Sequence, residues 1–230
     1  MIRTAMILSA GRGERMRPLT DVTPKPLIQV AGRCMLDRAM ARLGEHGVSE
    51  VVVNVHHLGE QIARHLDGRA CIVREEQLLE TGGSVRNALP LLGEGPFFVV
   101  NGDALWQDGR VPMLARMEAA WDPARMDALL LLHPLDKTIG REARDRGDYF
   151  LDADVRARHR GTADRAPYFF ASVSICDRRL FAASPDGPFS LLKLWNHAES
   201  AGRLHGLLHD GQWFHIGTPQ ALRDAERALQ

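Results

Sequence analysis

The residues best suited to chemistry form one dense stretch. Ala10, Gly11, Arg12, Gly13, Arg15, Arg17 and Lys25 follow directly on the apolar run Ala5-Met6-Ile7-Leu8. Glycines let backbone N–H groups approach a phosphate closely, and guanidinium and ammonium groups neutralise it. A buried strand that opens into a flexible, cationic loop expects a polyphosphate. Pro24 and Pro26 flank Lys25 and restrict the backbone that aims its side chain. A carboxylate stands at a second strand end, in Asn101-Gly102-Asp103 after Phe97-Phe98-Val99-Val100. An Asp there can hold a divalent cation against phosphate oxygens, and the tripeptide also reads as a plain strand terminator.

These groups need a scaffold, and the apolar pattern supplies one. Strands are expected at Ala5–Ser9, Val51–Val55, Ala70–Val73, Phe97–Asn101 and Ala128–Leu132. Between them lie helical faces: Met35, Leu36, Ala39, Met40 and Leu43; Leu58, Ile62, Ala63 and Leu66; Val85, Ala88, Leu89 and Leu92. Strand–helix alternation predicts an α/β fold, a mostly parallel sheet flanked by helices. Ligands in such sheets bind at strand carboxyl ends, so the Leu8–Gly13 and Val100–Asp103 segments can share a crevice. The second half is less regular. Tyr149–Leu151 and Val155–Ala157 read as a small hairpin, Tyr168–Cys176 as a buried strand, and Ser190–Ala201 and Thr218–Leu229 as helices capped by Ser190 and Thr218.

Lys plus Arg equals Asp plus Glu, at 29 each, so no basic surplus points to nucleic acid. The positive charge is local, which fits a small anionic ligand. Cys34, Cys71 and Cys176 are widely spaced without a C-x-x-C pattern, so neither a disulfide framework nor a zinc site is expected. No apolar stretch reaches membrane-spanning length and no signal peptide is apparent. A cytoplasmic chain is expected, forming one domain over residues 1–230, as a monomer or small homo-oligomer. Residues 1–132 are read as its nucleotide-binding half and 133–230 as its sugar-binding half.

The segment Leu8–Leu27 resembles the N-terminal motif of the sugar-1-phosphate nucleotidyltransferases, L-x-A-G-x-G-x-R-x-x-P-L-T-x-x-x-P-K-P-L, and fills it throughout. The resemblance implies a Rossmann-like, glycosyltransferase-A-like fold with a small sugar-side β-subregion. It implies a nucleoside triphosphate (UTP favoured) and a sugar 1-phosphate as substrates. Arg15 and Lys25 become the catalytic cations, with Ala10, Gly11, Arg12 and Gly13 on the nucleotide. Asp103 becomes the principal Mg²⁺ ligand, Mn²⁺ being the other candidate ion. In Glu80-Thr81-Gly82-Gly83-Ser84, expected just before a helix, Gly82 would lie against the base, with Glu75 on the base or ribose side. A helix cap is the alternative reading. Arg146-Gly147-Asp148-Tyr149 resembles the Gly-Arg-Gly-Asp-Phe segment that borders the sugar in muramate-type members, which makes Asp148 a sugar-side candidate. A surface turn is the alternative there.

Two positions depart from the family pattern. Trp213-Phe214-His215-Ile216-Gly217-Thr218 resembles the late motif W-x-D-x-G-T, whose Asp is the second metal ligand, but His215 stands in its place. His215 would ligate a metal other than Mg²⁺, donate to phosphate while Asp103 holds Mg²⁺, or be structural. The second is favoured, because Mg²⁺ prefers oxygen. Ser172 stands in a strand segment where members usually have Gly, beside the sugar. A mannose or heptose 1-phosphate guanylyltransferase and a nucleotide-binding regulatory relative are the competing functions. A dinucleotide-binding oxidoreductase fits worse, since the first loop lacks the third glycine.

Overall fold

The computed structural model describes residues 1–230. A nine-stranded sheet runs through it. In chain order its strands are β1 (Thr4–Leu8), β2 (Glu50–Val55), β3 (Cys71–Arg74), β4 (Phe97–Asn101), β5 (Ala128–Pro134), β6 (Tyr149–Leu151), β7 (Ala157–His159), β8 (Tyr168–Cys176) and β9 (Leu204–Leu208). Strands β4, β1, β2 and β3 lie side by side and parallel. Helices α1 (Met35–His46), α2 (Gly59–Leu66) and α3 (Glu80–Ala88) connect them. Parallel neighbours need such crossovers. The mostly parallel sheet flanked by helices is the architecture expected from the alternation.

Beyond β4 the sheet becomes mixed. Strand β8 runs antiparallel to both β4 and β5, and β9 pairs parallel with β5. The hairpin β6–β7 extends the other end of β8. Its second strand lies at Ala157–His159, later than the sequence pattern indicates. Asp152 Oδ1 accepts from the N–H groups of Asp154 (2.9 Å) and Arg156 (2.8 Å), which keeps 152–156 as a turn. Strand β9 and helix α4 (Met113–Ala120) lie outside the elements that the apolar pattern indicates. Helices α5 (Leu191–Ser200) and α6 (Pro219–Ala228) carry the expected caps: Ser190 accepts from Leu192 N–H and Thr218 from Ala221 N–H.

The two faces of β1 show how side-chain alternation builds the core. Ala5 and Ile7 pack on one face with Leu36, Ala39 and Leu43 of α1, Ile62 and Leu66 of α2, and Met113 and Met117 of α4. Met6 points to the other face, among Val85 and Ala88 of α3 and Leu191, Leu194 and Trp195 of α5. No helix is long and apolar enough to cross a membrane.

This topology fixes where a ligand can bind. Chain order runs outward from β1 through β2 to β3, then returns to β1's other side with β4. The order reverses between β1 and β4, and such switch points open a crevice at strand carboxyl ends. Register places Leu8 opposite Asn101, so the glycine loop and Asp103 emerge side by side. Gly102 N–H donates to Leu8 O at 2.8 Å and ties the two exits together.

Candidate active site

The glycine loop is held from below. Gly13 has φ +63°, and a Cβ there would press on Thr20 Cγ2 (2.9 Å) and Lys25 Cβ (3.2 Å). Glycine is the residue that both the left-handed backbone and this close approach admit. A Cβ on Gly11 would meet nothing within 4 Å, so that position faces open space. Thr20 Oγ1 donates to Gly13 O at 3.0 Å. His57 Nε2 lies 3.1 Å from Thr20 O, and Gln61 Nε2 donates to Val22 O at 2.9 Å. Residues near and on α2 thus clamp the far end of the loop.

Three adjoining cavities meet at Lys25. The first, about 390 Å³, is lined by Ser9, Ala10, Gly11, Gly13, Glu75, Thr81 and Asp103, among others. The second, also about 390 Å³, is bounded by Arg12, Gly13, Arg15, Lys25 and Gly217. The third, about 290 Å³, is lined by Arg15, Lys25, Asp103, Asp145, Asp148, Phe169, Ser172 and His215. Lys25 Nζ and Asp103 Oδ2 form an ion pair at the junction. Burial opposes ionisation of Asp103, but the charge and hydrogen bond of Lys25 outweigh it and hold the carboxyl below its usual range. The side chain is still 32% exposed, so a ligand can reach an ionised oxygen donor.

The first cavity is polar at its floor. Asn54 Oδ1 accepts from Ser9 N–H at 2.9 Å, and Asn54 Nδ2 donates to Glu75 Oε1 at 2.8 Å. Glu75 Oε2 accepts from Leu79 N–H at 3.3 Å. The Ser9 hydroxyl is buried without a partner, a free polar group at the cavity wall. Asn54 lines the cavity although nothing in its sequence context marks it. The parallel pairing of β2 with β1 brings it against the glycine-loop strand.

Gly82 is not where the sequence reading expects it. Residues 80–84 lie within α3, not ahead of it. Gly82 N–H donates to Phe189 O at 2.8 Å, and a Cβ on Gly82 would run into the Phe189 ring and carbonyl. Gly82 therefore packs α3 against the Phe189 segment, while Glu80, Thr81 and Ser84 line the cavity. Glu80 takes φ +58° at the helix start, a strained conformation for a residue with a Cβ.

The third cavity is built from strand irregularity and histidine. The β8–β5 register shifts between Phe170 and Ser174, and within that bulge Ser172 takes φ +65°. A position that favours glycine is occupied by serine. Asp148 Oδ2 accepts from Phe170 N–H at 3.0 Å. Burial raises its pKa, and this hydrogen bond only partly offsets it. The imidazole of His215 stacks on Phe169, with centroids 5.5 Å apart and planes 8° from parallel. Its backbone N–H donates to Ile139 O at 2.8 Å. Burial lowers its pKa; Asp145 opposes this, and Arg15 and Lys25 add to it. The balance favours the neutral ring. A Cβ on Gly217 would come within 3.1 Å of Arg15 Nη1 and 3.2 Å of His215 Nε2, so this glycine lets both side chains close over the junction. Asp145, unmarked in the sequence, faces the same cavity.

Residues 5–138 match the MobA-like NTP transferase domain. The chain is 42% identical over 236 residues to the N-acetylmuramate alpha-1-phosphate uridylyltransferase of Caulobacter vibrioides, covering 99% of this chain and 97% of the relative. With the enzyme of that name from Neisseria meningitidis the identity is 37%, covering 96% of each. The crystal structure of HddC from Yersinia pseudotuberculosis complexed with GMP-PN superposes with a TM-score of 0.79. It covers 99% of this chain and 100% of that chain at 19% identity, a likeness of fold. The chain belongs to the sugar-1-phosphate nucleotidyltransferases, and it is an enzyme of that class.

Proposed function

We propose that this nucleotidyltransferase joins UTP to N-acetylmuramate 1-phosphate, giving the UDP-sugar and pyrophosphate. The observation that carries the reading is the junction of three cavities at Lys25 and Asp103. Two near-full-length relatives with that activity in their names support the choice of substrates. The enzyme would serve cell-wall recycling in the cytoplasm. It would act as one domain in which residues 1–132 serve the nucleotide and 133–230 the sugar.

A sugar-phosphate oxygen attacks the α-phosphorus in line. The new P–O bond forms as the bond to the β-phosphate oxygen breaks, and the electron pair leaves with pyrophosphate. The attacking group is already an anion, so no side-chain nucleophile is needed. Catalysis rests on positioning and charge neutralisation. Lys25, at the junction, neutralises the α-phosphate and the incoming phosphate. Arg12 and Arg15, with the amides of Gly11 and Gly13, hold the β- and γ-phosphates in the second cavity. Glu75 and the wall of the first cavity receive the nucleoside, and Asp148 and Ser172 border the sugar.

The donor set at the junction suits a hard cation: Asp103 offers an ionised, accessible oxygen, and Mg²⁺ takes few protein ligands besides phosphates and water. Asp103 would hold Mg²⁺, which when bound supplies charge to offset the phosphate oxygens. His215, close to Arg15 and shifted by burial toward its neutral form, donates to a phosphate oxygen instead of replacing the carboxylate. Pyrophosphate release measured with four triphosphates against a panel of sugar 1-phosphates, in Mg²⁺ and in Mn²⁺, tests the assignment. Highest kcat/KM for UTP with N-acetylmuramate 1-phosphate is expected. A preference for GTP with mannose or heptose 1-phosphate overturns it.

A further inference from the structure

A second cluster of chemistry-bearing side chains lies away from the three cavities. Cys34 precedes α1, Asp37 sits in the first turn of α1, and His65 sits in the last turn of α2. Cys34 Sγ lies 3.2 Å from Asp37 Oδ2 and 3.6 Å from His65 Nε2. His65 Nε2 lies 2.9 Å from the same Asp37 Oδ2. One sulfur, one nitrogen and one oxygen thus form a small triangle.

The triangle has the dimensions of a metal face. With Zn–S near ~2.3 Å and Zn–N and Zn–O near ~2.0 Å, tetrahedral angles put S···N and S···O at about 3.5 Å and N···O at about 3.3 Å. Each observed separation falls within about 0.5 Å of that figure. The arrangement is not a proton relay. In a nucleophile–His–carboxylate relay the two ring nitrogens take one partner each, whereas here sulfur and carboxylate both meet Nε2. Three donor atoms of different residues within reach of one another are what ligation requires.

We propose that Cys34, Asp37 and His65 bind one borderline-soft divalent cation of the zinc class, tying the start of α1 to the end of α2. Thiolate and imidazole together select such a cation over Mg²⁺. Cys34 is 1% exposed, while the side chains of Asp37 and His65 are 23% and 32% exposed. The ion enters from the solvent side, where a water completes its coordination. Asp37 offers Oδ2 to the triangle and Oδ1 to Arg69 Nη1 at 3.1 Å. Arg69 also donates to His65 O at 2.8 Å and to Leu66 O at 3.1 Å. It orients one ligand and closes the end of α2, as partners behind metal ligands do. Burial pushes the Cys34 thiol up to about 11, while the N–H groups of Asp37 and Leu36 at the helix start favour the thiolate. Ligation displaces the thiol proton to solvent as the S–metal bond forms.

The test uses the full chain, freed of metal by chelator and titrated with Co²⁺ in excess Mg²⁺, so that oxygen sites are filled. A single Co²⁺ is expected to give the near-ultraviolet sulfur-to-cobalt charge-transfer band, and Zn²⁺ is expected to abolish it by competition. Cys34→Ser should remove the band. His65→Gln should weaken Co²⁺ binding at least ~10-fold. Cys71→Ser, which alters the exposed thiol, should leave the band intact. Zn²⁺ should raise the melting temperature of the wild type and not of His65→Gln. No band in the wild type, a band that follows Cys71, or unchanged affinity in His65→Gln each overturns the proposal. The His65→Gln arm decides even if Cys34→Ser does not fold. None of these readouts depends on which triphosphate or sugar the enzyme uses.

Discussion

The glycine-loop side of the site and the side walled by strand β8 are lined by different chemistry. The glycine-loop side presents exposed cations, Arg12 and Arg15, on a loop that faces open space at Gly11, which suits the proposed triphosphate. The other side has the bulged strand β8, the carboxylates Asp145 and Asp148, and His215 stacked on Phe169, which suits the proposed sugar. The first is a backbone cradle with charge added. The second is a shaped wall whose polarity depends on burial. A polyphosphate is recognised by charge and needs little shape, whereas a sugar must be told apart from other sugars by fit. Lys25 and Asp103 stand where the two regimes meet.

The contrast breaks most sharply at that junction. Lys25→Ala and Asp103→Ala should each lower turnover at least ~100-fold, the scale of losing one charge-stabilising group. The double variant should be little worse than either single one, because groups acting as a unit are not additive. Pyrophosphate release by both single variants at wild-type rate would remove the junction from the mechanism.

Next in size is acid sensitivity, which should map to the second half. Burial pushes His133 down to about 4 and lowers His205 and His209 as well. Their folded-state pKa values lie below the unfolded value, so the unfolded chain binds more protons in that interval. Stability is full above about pH 6.5 and falls toward pH 4, His133 alone contributing on the order of 2–3 kcal/mol. Urea midpoints at pH 7 and pH 5 measure the loss. His133→Gln should flatten the slope, and an unchanged slope would clear His133 of the effect.

Gly82→Ala separates packing from ligand contact. The added methyl meets Phe189, and overpacking of this kind costs about 1–3 kcal/mol. The KM for the triphosphate should stay within about threefold, since the energy is lost in the α3 contact and not in the cavity. A large rise in KM with unchanged stability would return Gly82 to the nucleotide. Ser172→Gly is the smallest change. It relieves a left-handed backbone and should raise stability by about 1 kcal/mol, while altering KM for the sugar phosphate and leaving that for the triphosphate alone. Calorimetry and the two KM values read both outcomes.

Much of the glycine-loop side was legible because its chemistry is contiguous. Gly11, Gly13, Arg15 and Lys25 lie in one loop, and backbone amides and charge act over short chain distances. The strands β1, β2 and β4 announced themselves as apolar runs, since a parallel strand buried on both faces carries little else. Legibility failed where pairing partners, not composition, decided the outcome. Strand β9 reads Leu-His-Gly-Leu-Leu, and β5 beside it makes it a strand. Residues 80–84 look like a glycine turn, yet the Phe189 carbonyl accepts from the amides of Gly82 and Gly83 and a glycine-rich first helical turn fits against it.

The sequence by itself determined the class of enzyme: a glycine-rich cationic loop, a lysine between two prolines and a carboxylate at a strand end, with the strands that carry them. Tertiary structure decided the rest, because distance along the chain says nothing about convergence in space. Asn54 joins Ser9 to Glu75 only because β2 lies beside β1. Ser172 takes its positive φ only within the bulge where the pairing of β8 with β5 shifts register. Cys34, Asp37 and His65 become three donors at one point only because two helices pack on the same face of the sheet.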